Sequence, residues 1–178
     1  MEERIDDGGT VETITYTLGH DVIAQARGTG DEAVRYLLYD GHGSTRQLYG
    51  YDSQSSGDAV VGSFSYDAYG VMLQGADAFP PSGSGTPGVT PPQTTSLLYA
   101  GEYFDATAQH YYNRARWYNP YNGRFNRMDP FAGSPKDPQS LHRYLYAHCN
   151  PVNGIDPSGR MTTCGSDGGE FYNLRDGA

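Results

Sequence analysis

The chain has 178 residues, a length that fits one domain large enough to bury its own core. Its formal net charge of −9 argues against a nucleic acid or an anionic membrane as partner, because binding phosphate groups needs a basic face. No apolar run is long enough to span a membrane. The 16 tyrosines and 24 glycines favour a half-solvated β surface over a helical bundle.

The residues up to position 73 predict a series of antiparallel β-hairpins. Residues 10–26 alternate in polarity as two strands, with a turn at Gly19-His20-Asp21 between them and a further turn at 28–31. Residues 33–39 and 45–51 predict two further strands, and residues 60–73 predict two more around a turn at 67–70. The N-terminal sequence MEERIDDGG is acidic and lacks the apolar core of a secretion signal.

One short pattern occurs twice in this part of the chain. Tyr39-Asp40-x-x-Gly43 and Tyr66-Asp67-x-x-Gly70 both combine an aromatic residue with turn-forming residues, and they lie 27 residues apart (66 − 39). Such spacing indicates a stacked or spiralling sheet in which each hairpin packs on its neighbours.

The remainder of the chain divides into a loop and a second structured part. Residues 74–96 are rich in Pro, Gly, Ser and Thr without any period, which predicts a surface loop. Strands are predicted at 97–99, 110–112, 115–118 and 124–127, with tight turns between them. Leu141, Tyr144, Leu145 and His148 follow helical spacing, which predicts one helix of two to three turns within Pro138–Cys149, with Ser140 as its N-cap.

Three aspartates, Asp129, Asp137 and Asp156, each precede a proline. Turn formation explains all three, since Asp accepts hydrogen bonds from nearby backbone and Pro restricts φ. Paired carboxylates offer a second interpretation, because two that lie close together share a proton and supply both an acid and a base for peptide hydrolysis.

Cys149 and Cys164 form neither a metal site nor a disulfide framework, although a single bridge between them stays an alternative. We expect no cofactor and no metal.

The patterns around two of these aspartates resemble a known family. Gly123-Arg124-Phe125-x-x-x-Asp129-Pro130 and Asn150-Pro151-Val152-Asn153-x-x-Asp156-Pro157-x-Gly159 are similar to the two signature segments of the C-terminal core of Rhs/YD-repeat proteins, whose relatives include toxin-complex C subunits and teneurins. The resemblance covers roughly residues 36–161 and excludes Asp137. It implies an intramolecular aspartyl protease in which Asp129 and Asp156 are catalytic and Arg116 binds a carboxylate or the carbonyl of the cleaved bond.

The resemblance also implies where such a protein would cut itself. The family sequence is Asp-Pro-x-Gly-Leu, with cleavage after the leucine, so the expected site here is the Arg160–Met161 bond. Arg160 departs from this pattern, and burying an unpaired cationic side chain in an apolar pocket would be costly. The implied parts are β-hairpins with YD repeats (1–73), the loop (74–96), the Rhs-associated core (97–160) and a short variable tail (161–178).

Two functions are compatible with these features of the sequence. In the first, the core closes a β shell and releases a C-terminal cargo by self-cleavage, as part of a bacterial polymorphic toxin that is exported without a classical signal peptide and acts outside the cell or at its surface. In the second, the chain is a non-enzymatic, tyrosine-rich β module that assembles with itself or with another Rhs chain, because exposed edge strands invite pairing. The expected partners are the chain's own C-terminal segment, a second copy or another YD-repeat chain.

Overall fold

A computed structural model describes residues 2–6, 11–19, 21–28, 33–52, 56–74, 95–160, 162–164 and 169–170. The described part is mostly antiparallel β structure, which confirms the predicted fold class. Its strands are β1 (Glu2–Asp6), β2 (Val11–Leu18), β3 (Val22–Arg27), β4 (Val34–Tyr39), β5 (Thr45–Asp52), β6 (Gly57–Ser63), β7 (Ser65–Tyr66), β8 (Met72–Gln74), β9 (Tyr103–Asp105), β10 (His110–Asn113), β11 (Arg116–Asn119), β12 (Arg124–Phe125), β13 (Gly154–Ile155), β14 (Thr163–Cys164) and β15 (Gly169–Glu170).

The first six strands form one meander in the order β1-β2-β3-β4-β5-β6. Alternation explains the pairing, since Ile14 and Tyr16 on β2 are buried while the threonines between and beside them are exposed. β1 lies in the acidic N-terminal stretch, where no strand is predicted, and pairs antiparallel with β2. Residues 60–73 contribute to three strands rather than two, because β6 ends at Ser63 before the β7–β8 hairpin begins.

The two Tyr-Asp-x-x-Gly turns have the same hydrogen-bond pattern. In each, one aspartate oxygen accepts hydrogen bonds from the amides two and four residues later, at 2.9 and 3.0 Å for Asp40 and at 2.9 and 2.8 Å for Asp67. Gly43 and Gly70 close the turns with φ angles of +77° and +88°, a conformation that disfavours residues with a Cβ. The two patterns seen in the sequence therefore form the same local structure.

The second sheet, in the order β12-β11-β10-β9, contributes rings to a buried aromatic cluster. The members of this cluster are Tyr66 of β7, Tyr99, Phe104, Tyr111, Tyr118, Phe125 and Tyr146. Tyr118 and Tyr146 stack with ring centres 4.0 Å apart, and both are almost fully buried. Three tyrosine hydroxyls of this cluster donate hydrogen bonds to three successive carbonyl oxygens of the turn at 67–70. The pairs are Tyr99 with Ala68 at 2.9 Å, Tyr118 with Tyr69 at 2.7 Å and Tyr111 with Gly70 at 2.9 Å.

The predicted helix within Pro138–Cys149 is wrong. The structure has two short 3₁₀ helices there, Pro138–Leu141 and Ala147–Cys149, with irregular chain between them. Asp137 caps the first through a 3.2 Å hydrogen bond from the amide of Gln139, so Ser140 is not its N-cap.

Pairing with β12 explains why the segment is not one helix. The carbonyl of Tyr144 accepts a 2.8 Å hydrogen bond from the amide of Phe125, and Leu145 pairs with Arg124. The helical spacing does not mark a buried face either, because Leu141 and Tyr144 are about half exposed at 52% and 46%. A continuous helix would lose the pairing with β12 without gaining a buried face.

The predicted strand at 97–99 is also wrong. Leu97 forms a single bridge with Tyr103, and Tyr99–Gly101 forms a 3₁₀ helix that leads into β9. Thr45 of the first sheet explains this arrangement. Its amide donates to the carbonyl of Leu98 at 3.0 Å and its hydroxyl donates to that of Leu97 at 2.7 Å.

Both ends of the predicted loop, 74–96, belong to structured parts of the chain. Gln74 belongs to β8, while Thr95 and Ser96 are buried and the carbonyl of Ser96 accepts a 2.8 Å hydrogen bond from the amide of Phe104. Residues 75–94 lie outside the described residues, as do the predicted turn at 29–31, His20 and most of the 161–178 tail.

Candidate active site

Arg116, Asp129 and Asp156 come together although they are far apart in sequence. Arg116 begins β11, Asp129 follows β12, and Asp156 follows β13 directly. The Nη2 atom of Arg116 lies 3.0 Å from Oδ2 of Asp129 and 3.4 Å from Oδ2 of Asp156. One guanidinium nitrogen therefore contacts both carboxylates.

The Arg116 guanidinium is buried and held from several sides. The side chain of Arg116 is 3% exposed, and its guanidinium carbon Cζ lies 3.7 Å from the centre of the Phe125 ring. Its Nη1 donates to the carbonyl of Arg143 at 3.2 Å. Burial lowers the pKa of Arg116, while the nearby Asp129 and Asp156 carboxylates act in the opposite direction. If both aspartates are ionised, the group carries one net negative charge in a site largely closed to water.

Both aspartates also form the turns that their Asp-Pro sequences predict. Oδ1 of Asp129 accepts a 2.8 Å hydrogen bond from the amide of Phe131. Oδ1 of Asp156 accepts hydrogen bonds from the amide of Arg160 at 3.0 Å and from the hydroxyl of Ser158 at 3.2 Å. In each case the second oxygen contacts Arg116. The turn interpretation and the site interpretation therefore describe the same geometry.

The turn between β10 and β11 binds four successive carbonyl oxygens of the segment that precedes Arg160. Side chains make three of these contacts and a backbone amide makes the fourth. The pairs are Asn113 Nδ2 with Asp156 O at 2.6 Å, Arg114 Nη1 with Pro157 O, Ala115 N with Ser158 O at 3.3 Å and Arg116 Nε with Gly159 O. The next carbonyl along the chain is that of Arg160.

Gly159 fits closely into this arrangement. Its φ angle is +64°, and a Cβ at this position would overlap the carbonyl oxygen of Asn113 and lie 3.0 Å from the amide nitrogen of Arg116. A residue with a side chain therefore meets both an unfavourable conformation and a clash with backbone here.

The expected conflict at Arg160 does not arise at the side chain, which is exposed rather than buried in an apolar pocket. Met161 lies outside the described residues.

Two residues in this region that the sequence does not single out are Glu102 and Arg114. Glu102 is buried, and its Oε1 lies 2.8 Å from Nη1 of Arg114, the same atom that contacts the carbonyl of Pro157. Their sequence context carries no motif that would identify them, because Glu102 gains its partner only when β9 and β10 pair.

The other candidate groups do not form a site within the part of the chain that the structure describes. No group of three or more His, Cys, Asp or Glu side chains there could hold a metal ion. His148 pairs with Asp137 at 3.3 Å. Cys149 is an exposed free thiol, and the side chain of Cys164 lies outside the described part of the chain. Among the described residues, no helix has the length and apolar character needed to cross a membrane.

Comparison with known proteins adds relatives of much greater length. The tRNA3(Ser)-specific nuclease WapA of Bacillus spizizenii is 29% identical over 156 residues, which cover 86% of this chain and 6% of the relative. The tRNA(Glu)-specific nuclease WapA of Bacillus subtilis subsp. natto is 30% identical over 126 residues, which cover 70% of this chain and 5% of the relative. No protein-family model matches the chain.

Solved structures similar to this chain are also much longer than it is. The crystal structure of TcdB2-TccC3-Cdc42 matches with a TM-score of 0.59 and 25% identity, over 86% of this chain and 7% of that one. The chain is therefore similar to the WapA nucleases and to a chain of the TcdB2-TccC3-Cdc42 structure, and it spans 7% or less of the length of each.

Proposed function

We propose that the chain is the Rhs repeat-associated core, which closes a β shell and hydrolyses its own Arg160–Met161 bond to release a C-terminal segment. The observation that carries this proposal is the binding of four successive carbonyls, from Asp156 to Gly159, by the turn at 113–116. Proteases hold the backbone of a substrate in this way to fix the bond that reacts. Here the held segment belongs to the same chain and ends one residue before the proposed bond.

The charges in the site support acid–base hydrolysis. Two carboxylates beside one guanidinium leave one net negative charge, and burial favours neutralising it with a proton on one carboxyl group. The pair then offers one ionised and one protonated carboxyl group, as peptide hydrolysis by carboxyl groups needs. We assign water activation to Asp129, because its side chain is 15% exposed and that of Asp156 is 4% exposed.

The reaction consumes one water molecule. Asp129 takes a proton from the water molecule while the oxygen of that water bonds to the carbonyl carbon of Arg160. Asp156 donates its proton to the carbonyl oxygen of Arg160. The carbon–nitrogen bond then breaks, Asp129 passes its proton to the nitrogen of Met161, and Asp156 recovers its own. The products are a carboxyl group on Arg160 and an amine on Met161, and both aspartates return to their starting states.

The partners and location follow from the relatives. The cargo would be the segment after residue 160, and the names of the relatives, nuclease and TccC3 complex, favour a toxin as that cargo in a longer chain. The two WapA relatives are Bacillus proteins, which favours a bacterial protein that is secreted or displayed at the cell surface.

Intact-mass spectrometry of the purified chain tests this function. The wild type should yield one piece ending at Arg160 and one beginning at Met161. Asp129→Asn should stay whole while keeping its fold, because Asn retains the shape but cannot exchange a proton. Asp137→Asn is the matched control, since Asp137 also precedes proline but lies outside the site, and it should be cut like the wild type. Arg160→Leu should be cut at least as fast as the wild type. A wild type that accumulates whole under all conditions would rule out self-cleavage.

A structural role is the second candidate, and the outer face of the first sheet favours it. Tyr36, Tyr49 and Val60 form one row across β4, β5 and β6, because Tyr36 pairs with Tyr49 and Tyr49 with Val60. All three are exposed, at 50%, 39% and 48%. Adjoining exposed apolar side chains of this kind favour packing against another β shell or a second copy. An uncut chain that sediments as a dimer, and as a monomer after Tyr49→Lys, would support this role.

A further inference from the structure

Glu102 is a buried acid that the proposed chemistry does not use. It lies between the 3₁₀ helix Tyr99–Gly101 and β9, and its side chain is 8% exposed. Burial raises its pKa to about 6, and the ion pair with Arg114 only partly opposes this effect. At neutral pH the folded chain therefore holds a carboxylate that is costly to bury. Residues that reduce stability in this way are often retained for function.

Arg114 connects this acid to the candidate active site. It lies in the turn between β10 and β11, with a φ angle of +55°. Its Nη1 contacts Oε1 of Glu102 and the carbonyl of Pro157. Pro157 directly follows Asp156. The contacts therefore run from Glu102 through Arg114 to the residue beside the candidate catalytic aspartate.

We propose that Glu102 and Arg114 are positioning residues, whose ion pair fixes the carbonyl of Pro157 and thereby holds Asp156 against Arg116. Neither residue touches the Arg160–Met161 bond, so their effect is through Asp156. The effect on cleavage rests on the proposed function, whereas the effect on the 156–160 segment does not.

The charged groups around Glu102 predict how the pair responds to pH. Arg114 is its ion-pair partner, and Asp156 is near enough to add an unfavourable negative charge. Above pH 6 Glu102 is ionised and holds Arg114 as a full ion pair. Below this pH the protonated carboxyl group accepts the same hydrogen bond more weakly. The segment should therefore be held more tightly above pH 6 than below it.

Hydrogen exchange of the Arg160 amide tests the positioning directly. This amide donates to Oδ1 of Asp156 at 3.0 Å and to the hydroxyl of Ser158 at 3.1 Å, so its protection reports whether the turn formed by residues 156–160 is held in place. The measurement uses the full chain carrying Asp129→Asn, so that the Arg160–Met161 bond is intact. Arg114→Ala should lower the protection factor at least about tenfold, which corresponds to about 1.36 kcal/mol. Arg114→Lys should restore part of it, since one ammonium reaches fewer acceptors than a guanidinium.

Two further variants separate positioning from general destabilisation. Glu102→Gln should remove the change in protection between pH 5 and pH 7, because the amide has no titrating group. Arg46→Ala is the matched control, since it breaks the 2.7 Å ion pair with Asp40 in the first sheet and should leave the Arg160 amide unchanged. Equal protection in the Arg114→Ala and control chains would overturn the proposal.

Cleavage rates in the chain that keeps Asp129 distinguish the two proposals. Slower cleavage of Arg114→Ala by about tenfold or more, with partial recovery in Arg114→Lys, supports both. If the protection factors change as expected but no chain is cut, the positioning stands and self-cleavage is wrong. If the wild type is cut and Arg114→Ala is cut equally fast with equal protection, self-cleavage stands and the positioning is wrong.

Discussion

Replacing Gly159 with alanine should strongly destabilise the chain and prevent the proposed self-cleavage. A left-handed φ of +64° costs a residue with a Cβ about 1–2 kcal/mol. The new Cβ would also overlap the carbonyl oxygen of Asn113 and lie 3.0 Å from the amide of Arg116, both of which are backbone atoms that cannot rotate away. Relieving the overlap separates the segment from the turn at 113–116 and breaks at least the hydrogen bonds to Ser158 and Gly159.

These losses add to a large effect. The bond from the neutral Ala115 amide contributes about 0.5–1.5 kcal/mol and the bond from the charged Arg116 about 1.5–3 kcal/mol. With the backbone term, Gly159→Ala should cost about 3–6.5 kcal/mol. For a chain of this size, each kcal/mol lowers the melting temperature by about 2–4 °C, so the expected decrease is roughly 6–26 °C. Thermal denaturation followed by circular dichroism measures it, in a chain that carries Asp129→Asn so that it is not cut.

Gly28 offers a matched control for the backbone term. Its φ is +86°, and a Cβ there would have no atom within 4 Å. Gly28→Ala should therefore cost only about 1–2 kcal/mol. Asparagine tolerates the left-handed conformation, so Gly28→Asn should be nearly neutral while Gly159→Asn still clashes. Melting temperatures of Gly159→Ala and Gly28→Ala within about 2 °C of each other would refute the close approach of Gly159 to the turn at 113–116.

Two further predictions concern stability. Burial raises the pKa of Glu102 from 4.5 to about 6, so the folded chain binds this proton more tightly than the unfolded one and loses stability as the pH rises between these values. The test measures the free energy of unfolding of the wild type and of Glu102→Gln in urea, once below pH 4.5 and once above pH 6. Between the two pH values, the variant should gain about 1–2 kcal/mol of stability relative to the wild type. The same difference between the two chains at both pH values would contradict the buried charge. Tyr118→Phe should cost about 1–3 kcal/mol in the same assay, because the buried Tyr118 loses its 2.7 Å hydrogen bond to the carbonyl of Tyr69. Tyr112→Phe, at a 42% exposed position, should stay within about 0.5 kcal/mol. Equal effects of the two tyrosine variants would exclude the hydrogen bond as the cause.

The hairpins of the fold were predictable because their signals are local. Alternation in residues 11–27 and the two Tyr-Asp-x-x-Gly patterns depend on neighbouring residues alone, and the structure has strands and matching turns there. The segment Pro138–Cys149 was not predictable in this way. Its helical spacing is real, but its backbone pairs with β12, a partner that periodicity does not reveal.

The candidate site was also only partly predictable, because some of its contacts depend on residues that are distant in sequence. A resemblance of short motifs pointed to Arg116, Asp129 and Asp156, and the structure brings the three together. The turn at 113–116 could not be identified as a binding element, because its targets are backbone carbonyls, which every residue possesses. Glu102 was not predicted either, because no sequence motif identifies it. A single acidic residue is ordinary in a sequence, and only burial beside Arg114 distinguishes it.

The contact between the aromatic cluster and the turn of the β7–β8 hairpin has a consequence for how the sequence of this chain can vary. The hydroxyls of Tyr99, Tyr118 and Tyr111 hold the turn at 67–70 by its carbonyl oxygens and make no use of its side chains there. Ala68 is exposed, so other residues should be tolerated at this position while the three hydrogen bonds keep their geometry. Gly70 is different, because a Cβ there would lie 2.6 Å from the ring of Tyr99. The contact therefore restricts the backbone and the last residue of the turn, and it leaves the side chain at position 68 free to vary.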